Sequence, residues 1–210
     1  VYMHSDDKGD VYVAATDSYR LAQCKTSIQS KDPVSLIFPS AALQELLRVA
    51  KSEDEKVVIT YDEQQAVFQV GSVEIVTRLI DGTYPEYQKL LPSSFETTAQ
   101  LSREDFHEVV KISSLFAREA AGGVTLHFSE DDNALSIKSI ASQVGENTAT
   151  AEATIDKDAQ ITMNSRYILD ALSAFSGEKL LVQVNGKLDP CVLSDPADSA
   201  YTHLVMPVKS

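Results

Sequence analysis

The chain has 210 residues, of which 43% are hydrophobic, so it is long enough to bury a sizeable core in one large or two modest domains. Its 31 acidic and 18 basic residues give a net charge of −13, which excludes most proteins that hold a polyanion by charge alone. No apolar run approaches the roughly 20 residues that span a bilayer, no leader pattern opens the chain, and its two cysteines form no CxxC pair. We therefore expect a cytoplasmic protein with reduced thiols.

Two strands are predicted at the start of the chain, at residues 1–3 and 11–24, because apolar and polar positions alternate there. The polar run 16–18, Thr-Asp-Ser, interrupts the second strand. Short polar side chains can hydrogen-bond to their own backbone, which favours a bend or bulge over a straight strand. The sequence therefore predicts a bend at this run.

Three side chains of different chemistry follow the bend directly, namely Tyr19, Arg20 and Leu21. Aromatic rings and guanidinium groups are frequent anchors at protein interfaces, so this segment is a plausible wall for a peptide pocket. The alternative is an ordinary bulged strand in which Tyr19 and Leu21 belong to the core.

A strand at residues 35–38 precedes the first predicted helix, which runs from Ser40, the candidate N-cap, to about Lys51. The helix is predicted from apolar residues at helical spacing, which are Leu43, Leu46, Leu47 and Ala50. Three strands are predicted to follow, at residues 57–61, 66–70 and 73–79.

The same order of elements recurs twice in the remainder of the chain. The second helix carries Phe106, Val109, Val110 and Ser113, and the third carries Ile168, Ala171, Leu172 and Phe175. The predicted strands lie at residues 124–128, 134–140 and 148–155, and then at 180–184, 190–193 and 200–206. The chain thus contains three β-α-β-β-β units, preceded by the strands of a fourth.

The fold class predicted from this pattern is α+β, with helices on one face of antiparallel sheets. Residues 91–98 are polar and contain a proline, which is typical of a linker. We therefore expect two domains, at residues 1–95 and 96–210, of which the first lacks its initial strand and helix.

Catalytic chemistry finds little support in the sequence. The four histidines lie in no metal-binding spacing, and neither a nucleophile motif nor a phosphate-binding glycine loop is present. We therefore expect no catalytic residue, no metal and no cofactor. A hydrolase acting on a small molecule or sugar through paired carboxylates remains an alternative, as does a protein-interaction scaffold built from repeats.

Basic residues are sparse, and several lie on the three predicted helices away from the apolar stripes. They are Arg48 and Lys51 on the first helix, Arg103, His107 and Lys111 on the second, and Arg166 on the third. One interpretation is an ordinary solvated surface with local charge pairing. The other is a set of side chains that face a common partner.

Three motifs in order give the chain a family resemblance. They are Ala-Thr-Asp-Ser-Tyr-Arg-Leu-Ala at residues 15–22, Asp-Gly-Thr-Tyr-Pro-Glu-Tyr-Gln-Lys-Leu-Leu-Pro at 81–92, and Leu-Val-Met-Pro-Val-Lys-Ser at 204–210. The chain resembles the β sliding clamp, the processivity subunit of bacterial DNA polymerase III, over its whole length. Because it begins at Val1 within a strand pattern, we expect a fragment that covers the second and third clamp domains.

This resemblance implies a ring-forming protein that is not an enzyme. In the family, two three-domain subunits close head to tail around double-stranded DNA, which is held non-specifically, and the helices line the central channel. The ring tethers replicative and repair polymerases to DNA, and it binds polymerase subunits, the clamp loader and repair proteins through short linear peptides. The full-length protein would be a homodimer, whereas this chain alone is expected to be monomeric and without a membrane partner.

The resemblance also implies a peptide pocket between the two domains. The expected pocket residues are Met3, Thr16, Ser18, Tyr19, Arg20, Leu21, Pro85, Lys89, Leu90, Asn164, Tyr167, Leu188, Pro190, Leu204, Val205, Met206, Pro207, Val208 and Lys209. The chain has Ser18-Tyr19 where the family often has Gly-His, and it ends in Lys209-Ser210 where Arg-Leu is common. These departures bear on which peptide sequences the pocket prefers, and not on whether the pocket is present.

Overall fold

Three helices and fifteen strands make up the part of the chain that the computed structural model describes, which is residues 1–50, 56–117, 122–141 and 145–208. The chain divides into two units. The first unit consists of Val1–Ala15 and Gln23–Tyr87, and the second consists of Thr16–Ala22 and Gln88–Ser210. The predicted bend therefore belongs to the second unit.

The first unit combines two small antiparallel arrangements with one helix. Strand β1 pairs with both β2 and β4, while β5, β6 and β7 form a meander. The bounds of these elements are β1 Tyr2–Ser5, β2 Asp10–Thr16, β3 Arg20–Gln29, β4 Ser35–Ile37, α1 Ser40–Val49, β5 Val57–Tyr61, β6 Gln65–Val70 and β7 Val73–Arg78.

The core of the first unit is built from strict alternation along β6. Ala66 and Phe68 are fully buried, Val67 between them is partly buried, and Gln65 and Gln69 on either side are exposed. The ring of Phe68 lies 5.3 Å from that of Phe38, measured between centroids. Buried alternate positions on an antiparallel strand leave the other face in water, and this is the pattern the sequence predicts.

Helix α1 corrects two sequence predictions. Ser40 is its first helical residue rather than its N-cap, which is Pro39, and no side chain caps the helix. Leu43 and Leu46 contact the core only partly, and Leu47 is 76% exposed although it lies on the predicted apolar stripe. Periodicity identifies a helix and its apolar face, but it does not reveal how much of that face another element covers.

The second unit contains the β-α-β-β-β order twice. A short 3-10 turn at Tyr87–Leu90 leads into it. The first half consists of β8 Thr97–Ser102, α2 Arg103–Phe116, β9 Gly123–Ser129, β10 Ala134–Ala141 and β11 Gly145–Ile155. The second half consists of β12 Ala159–Asn164, α3 Ser165–Leu172, β13 Lys179–Val184, β14 Cys191–Ser194 and β15 Tyr201–Val205.

The two halves of the second unit exchange their first strands. Strand β8 pairs with β13 of the second half, and β12 pairs with β9 of the first half. Together the strands follow the order β12-β9-β10-β11-β8-β13-β14-β15, with antiparallel neighbours. Strand β8 starts at Thr97, inside the segment predicted to be a linker.

Helices α2 and α3 pack on each other, and α2 also packs on β10 and β11. The predicted stripe of α2 is buried throughout, at Phe106, Val109, Val110 and Ser113. The side chain of Ser102 caps α2 by accepting a hydrogen bond from the N–H of Asp105 at 3.2 Å. Phe175 lies beyond the end of α3 but is buried, with its ring edge-on to Tyr201 at 5.0 Å between centroids.

The observed element order confirms the α+β fold class of antiparallel sheets and helices in repeated β-α-β-β-β units. The two units divide after Tyr87. The domain division at residues 95 and 96 stays a prediction.

Candidate functional site

The bend at Thr16–Ala22 is held by its own polar side chains. Oδ1 of Asp17 accepts hydrogen bonds from the backbone N–H groups of Tyr19 and Arg20, both at 3.1 Å. Oγ1 of Thr16 donates to the carbonyl oxygen of Arg20 at 2.8 Å and accepts from the N–H of Ser18 at 3.2 Å. The bend predicted from short polar residues is thus confirmed, and it is held by hydrogen bonds from side chains to nearby backbone groups, as the prediction assumed.

Ser18 occupies the left-handed region of backbone conformation, with φ of 74°. Residues with a Cβ atom adopt this region at a cost, which the hydrogen bonds of Thr16 and Asp17 offset. Beyond the turn the chain separates two side chains: Tyr19 is 62% exposed, whereas Leu21 is 1% exposed. The core alternative therefore holds for Leu21 and not for Tyr19.

Helix α3 supplies a second aromatic ring. The side chain of Asn164 caps the helix by accepting from the N–H of Arg166 at 2.9 Å. Gly122 supports this start, because its carbonyl accepts from the N–H of Ser165 at 2.8 Å. Gly122 has φ of +82°, and a Cβ atom there would lie 3.2 Å from the Asn164 amide. The first turn of α3 is therefore held by the Asn164 side chain and by the Gly122 carbonyl.

The C-terminal segment after β15 closes the arrangement. The N–H of Met206 donates to the carbonyl oxygen of Tyr19 at 2.8 Å, and the N–H of Val208 donates to that of Thr162 at 2.8 Å. Met206, Pro207 and Val208 are half-buried. We call the cluster of Thr16–Ala22, Tyr167, Asp170 and Met206 the Tyr19 site.

Charge and aromatic contacts link the elements of the Tyr19 site. The guanidinium of Arg20 donates from Nε to Oδ2 of Asp17 at 3.0 Å and from Nη1 to Oδ2 of Asp170 at 2.6 Å. Its Cζ lies 4.6 Å from the centre of the Tyr167 ring, which is a cation–π distance. The rings of Tyr19 and Tyr167 stack with centroids 6.2 Å apart and an interplanar angle of 27°.

These contacts shift ionisation within the site. The hydrogen bond to Asp170 is the largest cause that raises the pKa of Arg20. Partial burial acts to raise the pKa of Asp17, but the hydrogen bonds from Tyr19 and Arg20 outweigh it, so that this pKa lies below its ordinary value. The guanidinium and the Asp17 carboxylate therefore stay charged over the physiological range.

A buried histidine lies close to this charged group. Burial first, and then the charge of Arg20, lowers the pKa of His203 to about 4. Nδ1 of His203 is hydrogen-bonded to the hydroxyl of Tyr201 at 2.8 Å. Among the described residues, Nε2 of His203 has no protein partner. The imidazole is therefore neutral at neutral pH.

Several expected pocket residues lie in the second unit outside the cluster or inside its core. Leu204 and Val205 are buried in β15. Leu188 is 70% exposed and Leu90 is 52% exposed. The others in this unit are exposed Lys89 and half-buried Pro190.

Three expected pocket residues fall elsewhere. Met3 and Pro85 belong to the first unit, where Met3 packs against the Phe38 and Phe68 core. Lys209 lies outside the described residues.

The sequence did not single out Asp17, Asp170 or His203 as site residues. The position of Asp170, three residues after Tyr167, places both on one face of α3 and is the available signal. Asp17 carries a turn signal only. No local pattern marks His203, because its surroundings are set by tertiary packing.

The basic residues on the helices have differing environments. Arg48 forms a local ion pair with Glu45 at 2.5 Å, and Arg103 donates from Nε to the carbonyl of Gly177 at 2.9 Å. Lys111 and Arg166 are exposed, and His107 is half-buried. Lys51 lies outside the described residues.

The described residues contain neither a metal-binding cluster nor a membrane-spanning helix. Across residues 1–50, 56–117, 122–141 and 145–208, no group of three or more histidine, cysteine or acidic side chains is placed to hold a metal ion. Within the same ranges, no helix is long and apolar enough to cross a membrane.

Curated relatives of this chain are sliding clamps. The beta sliding clamp of Staphylococcus aureus is 28% identical over 210 residues, and the match covers 97% of this chain and 54% of that protein. The chain thus spans about half the length of the curated relatives it matches.

Solved sliding-clamp structures have the same fold. The clamp of Bacillus subtilis superposes with a TM-score of 0.91 at 26% identity, covering 100% of this chain and 56% of that one. The clamp of Bartonella birtlesii, solved bound to griselimycin, gives a TM-score of 0.90 at 25% identity and covers 100% and 57%.

Family models match both parts of the chain. The central domain of the DNA polymerase III beta subunit matches residues 1–86, and the C-terminal domain of that subunit matches residues 88–209. The chain therefore belongs to the DNA polymerase III beta subunit family.

Proposed function

We propose that this chain acts as part of a sliding clamp, a non-enzymatic ring protein that tethers replicative and repair polymerases to DNA and binds short linear peptides of its partners at the Tyr19 site. The observation that carries the proposal is the convergence of Tyr19, Tyr167 and Met206 from three separate segments of the chain. The family membership favours this function over a small-molecule hydrolase or an interaction scaffold.

The exposed aromatic surface supports peptide binding at this site. Tyr19 leaves most of its ring in water, and Tyr167 lies beside it half-buried. Rigid aromatic rings supply a large contact area at a low entropic cost, and they dominate the energetics of many interfaces. Tyr167 also packs against the hydrophobic core of the second unit, of which buried Val205 is a member.

Truncating an anchor should weaken peptide binding. Tyr167→Ala and Met206→Ala are each expected to reduce the affinity for a fluorescent Gln-Leu-x-Leu-Phe type peptide by about 1–3 kcal/mol, as for buried interface anchors. Fluorescence anisotropy titrations measure the affinity, and circular dichroism checks the fold. Tyr61→Ala is the matched control, because Tyr61 is 49% exposed but lies on β5 in the first unit. If both anchor variants bind like the wild type, these residues are not in the peptide site.

We further propose that double-stranded DNA is encircled by a complete ring and is held without sequence specificity. Arg48, Lys51, Arg103, His107, Lys111 and Arg166 are the candidate DNA-facing residues. Acidic residues share the helices, since Glu104 and Asp105 lie in the first turn of α2. The attraction is therefore weak, which suits sliding because each tight phosphate contact would raise the barrier to movement.

The chain by itself should bind linear duplex DNA poorly. With a net charge of −13 and only two clamp domains, it neither surrounds DNA nor neutralises many phosphates. We expect no stable complex at about 0.15 M salt in an electrophoretic or anisotropy assay. At low salt, Lys111→Glu should reduce any residual binding, whereas the exposed control Lys187→Glu should not. A sub-micromolar complex at about 0.15 M salt would point instead to a direct DNA-binding protein.

For assembly, we propose that the complete protein is a homodimeric ring and that this chain alone is a monomer. Strand β11 supports a role in ring closure. On one side, β11 pairs with β10 along Gly145–Glu152. On its other side, only Ala153–Ile155 pair with β8 within the described residues, which leaves the rest of that edge available. A free strand edge is a template for pairing with another chain.

We also propose a cytoplasmic location. Among the described residues, neither Cys24 nor Cys191 forms a disulfide, and Cys191 is buried. Burial raises the pKa of Cys191 to about 12, so this thiol stays protonated and unreactive. Reduced, structural cysteines are typical of cytoplasmic proteins.

A further inference from the structure

The guanidinium of Arg20 is held from two directions by carboxylates of different elements. Asp17 belongs to the bend and Asp170 to α3, and they bond Nε at 3.0 Å and Nη1 at 2.6 Å. The Arg20 side chain is 29% exposed, whereas the carboxylates are 45% and 48% exposed. Two charged hydrogen bonds with different directions fix both the position and the plane of a guanidinium.

The fixed guanidinium lies on the ring of Tyr167, with Cζ 4.6 Å from its centre. Tyr167 and Asp170 are three residues apart on α3, so one helix face supplies both the ring and the carboxylate. The same ring stacks on exposed Tyr19. The position of Arg20 therefore limits the movement of the aromatic wall of the Tyr19 site.

The two carboxylates are not equivalent. Asp17 also accepts the backbone N–H groups of Tyr19 and Arg20, so its removal would disturb the bend itself. The Asp170 side chain contacts Arg20 across 150 positions of sequence and has no part in the bend. Asp170 can therefore be altered without dismantling the turn.

We propose that Asp170 is a positioning residue for peptide binding, which acts through Arg20 to hold the Tyr167 ring in its ligand-receiving position before the peptide arrives. This inference rests on the proposed function of the Tyr19 site. A wall that is ordered in advance loses less conformational freedom on binding, which increases affinity without any contact between Asp170 and the peptide.

The test compares peptide affinity in Asp170→Asn with affinity in the wild type. Asparagine keeps the size of the side chain but removes its charge, so we expect binding to weaken about three- to ten-fold. Asp170→Glu keeps the charge and should recover most of the affinity. The matched control is Glu108→Gln, which removes an exposed helical carboxylate of the same unit and should leave affinity within about two-fold.

A double-mutant cycle shows whether Asp170 acts through Arg20. In an Arg20→Gln background, Asp170→Asn should have no further effect on affinity, because the group it positions is absent. An equal loss in both backgrounds would overturn the positioning role. Unchanged affinity in Asp170→Asn would also overturn it. Tighter binding of acidic peptides by that variant would overturn it too, because it would mean that Arg20 contacts the ligand directly.

A measurement without peptide separates positioning from a general structural role. The Nη–H signal of Arg20 that is bonded to Asp170 should exchange slowly with water in the wild type and faster in Asp170→Asn, while backbone amide signals away from the site stay unchanged. Unchanged exchange in that variant contradicts the proposal. If wild-type protein does not bind the peptide at all, the proposed function fails and this inference fails with it; if it binds and only the Asp170 effects are absent, the inference alone fails.

Discussion

Replacing Phe106 with alanine is expected to destabilise the second unit by about 3–5 kcal/mol. Phe106 is completely buried on α2, in a core that includes Leu126, Leu135 and Ile168. Removing the ring loses its transfer free energy and leaves a cavity between the helix and the sheet, which rigid neighbouring strands fill only partly. A change of this size is a large part of the stability of a domain.

Urea unfolding followed by circular dichroism measures this loss. Leu115→Ala is the matched control, since Leu115 lies on the same helix but is 59% exposed. We expect the control to change the free energy of unfolding by no more than about 0.5 kcal/mol. Equal effects of the two substitutions would mean that the buried face of α2 is assigned incorrectly.

Stability should fall by about 3 kcal/mol on account of His203 as the pH decreases from 6.5 to 4. The folded protein holds the pKa of this residue at about 4, whereas its ordinary value is 6.5. Between these values the unfolded chain binds a proton that the folded protein does not, so stability rises with pH across this window. One pKa unit corresponds to about 1.4 kcal/mol, which gives the expected size.

The charged groups near His203 set the design of the measurement. Burial is the main cause of its low pKa, the positive charge of Arg20 adds to it, and Asp17 and Asp170 act in the opposite direction. Carboxylates also titrate in acid, so the quantity to compare is the difference in unfolding free energy between wild type and His203→Gln. This difference should change between pH 6.5 and 4 and be constant above pH 6.5. A difference that is independent of pH would contradict the buried neutral imidazole.

Helices and strands were predictable from the sequence where only one face of the element is buried. The stripe of Phe106, Val109, Val110 and Ser113 predicts α2, and alternation predicts β6. The repeat predicts a strand before α2, but the bounds of β8 were not predicted, because Thr97 and Thr98 resemble a linker until they pair with β13. Pairing with a distant strand leaves little local signal.

The site was predictable in its segments but not in its connections. The bend at Thr16–Ala22 follows from side chains that bond their own backbone, so local sequence is sufficient to predict it. The bond from Arg20 to Asp170 joins residues 150 positions apart, and the low pKa of His203 depends on burial from several elements. Such features arise only after the chain has folded.

The exchange of first strands within the second unit has a consequence for how this unit folds. Because β8 completes the sheet of the second half and β12 completes that of the first, neither half buries its core alone. Ser102 pairs with Lys179, and this pairing closes a long loop that contains the rest of the first half. Closing such a loop costs conformational entropy before the contacts between the strands form. We therefore expect the two halves, although similar in order, to fold together as a single cooperative unit rather than as two independent repeats.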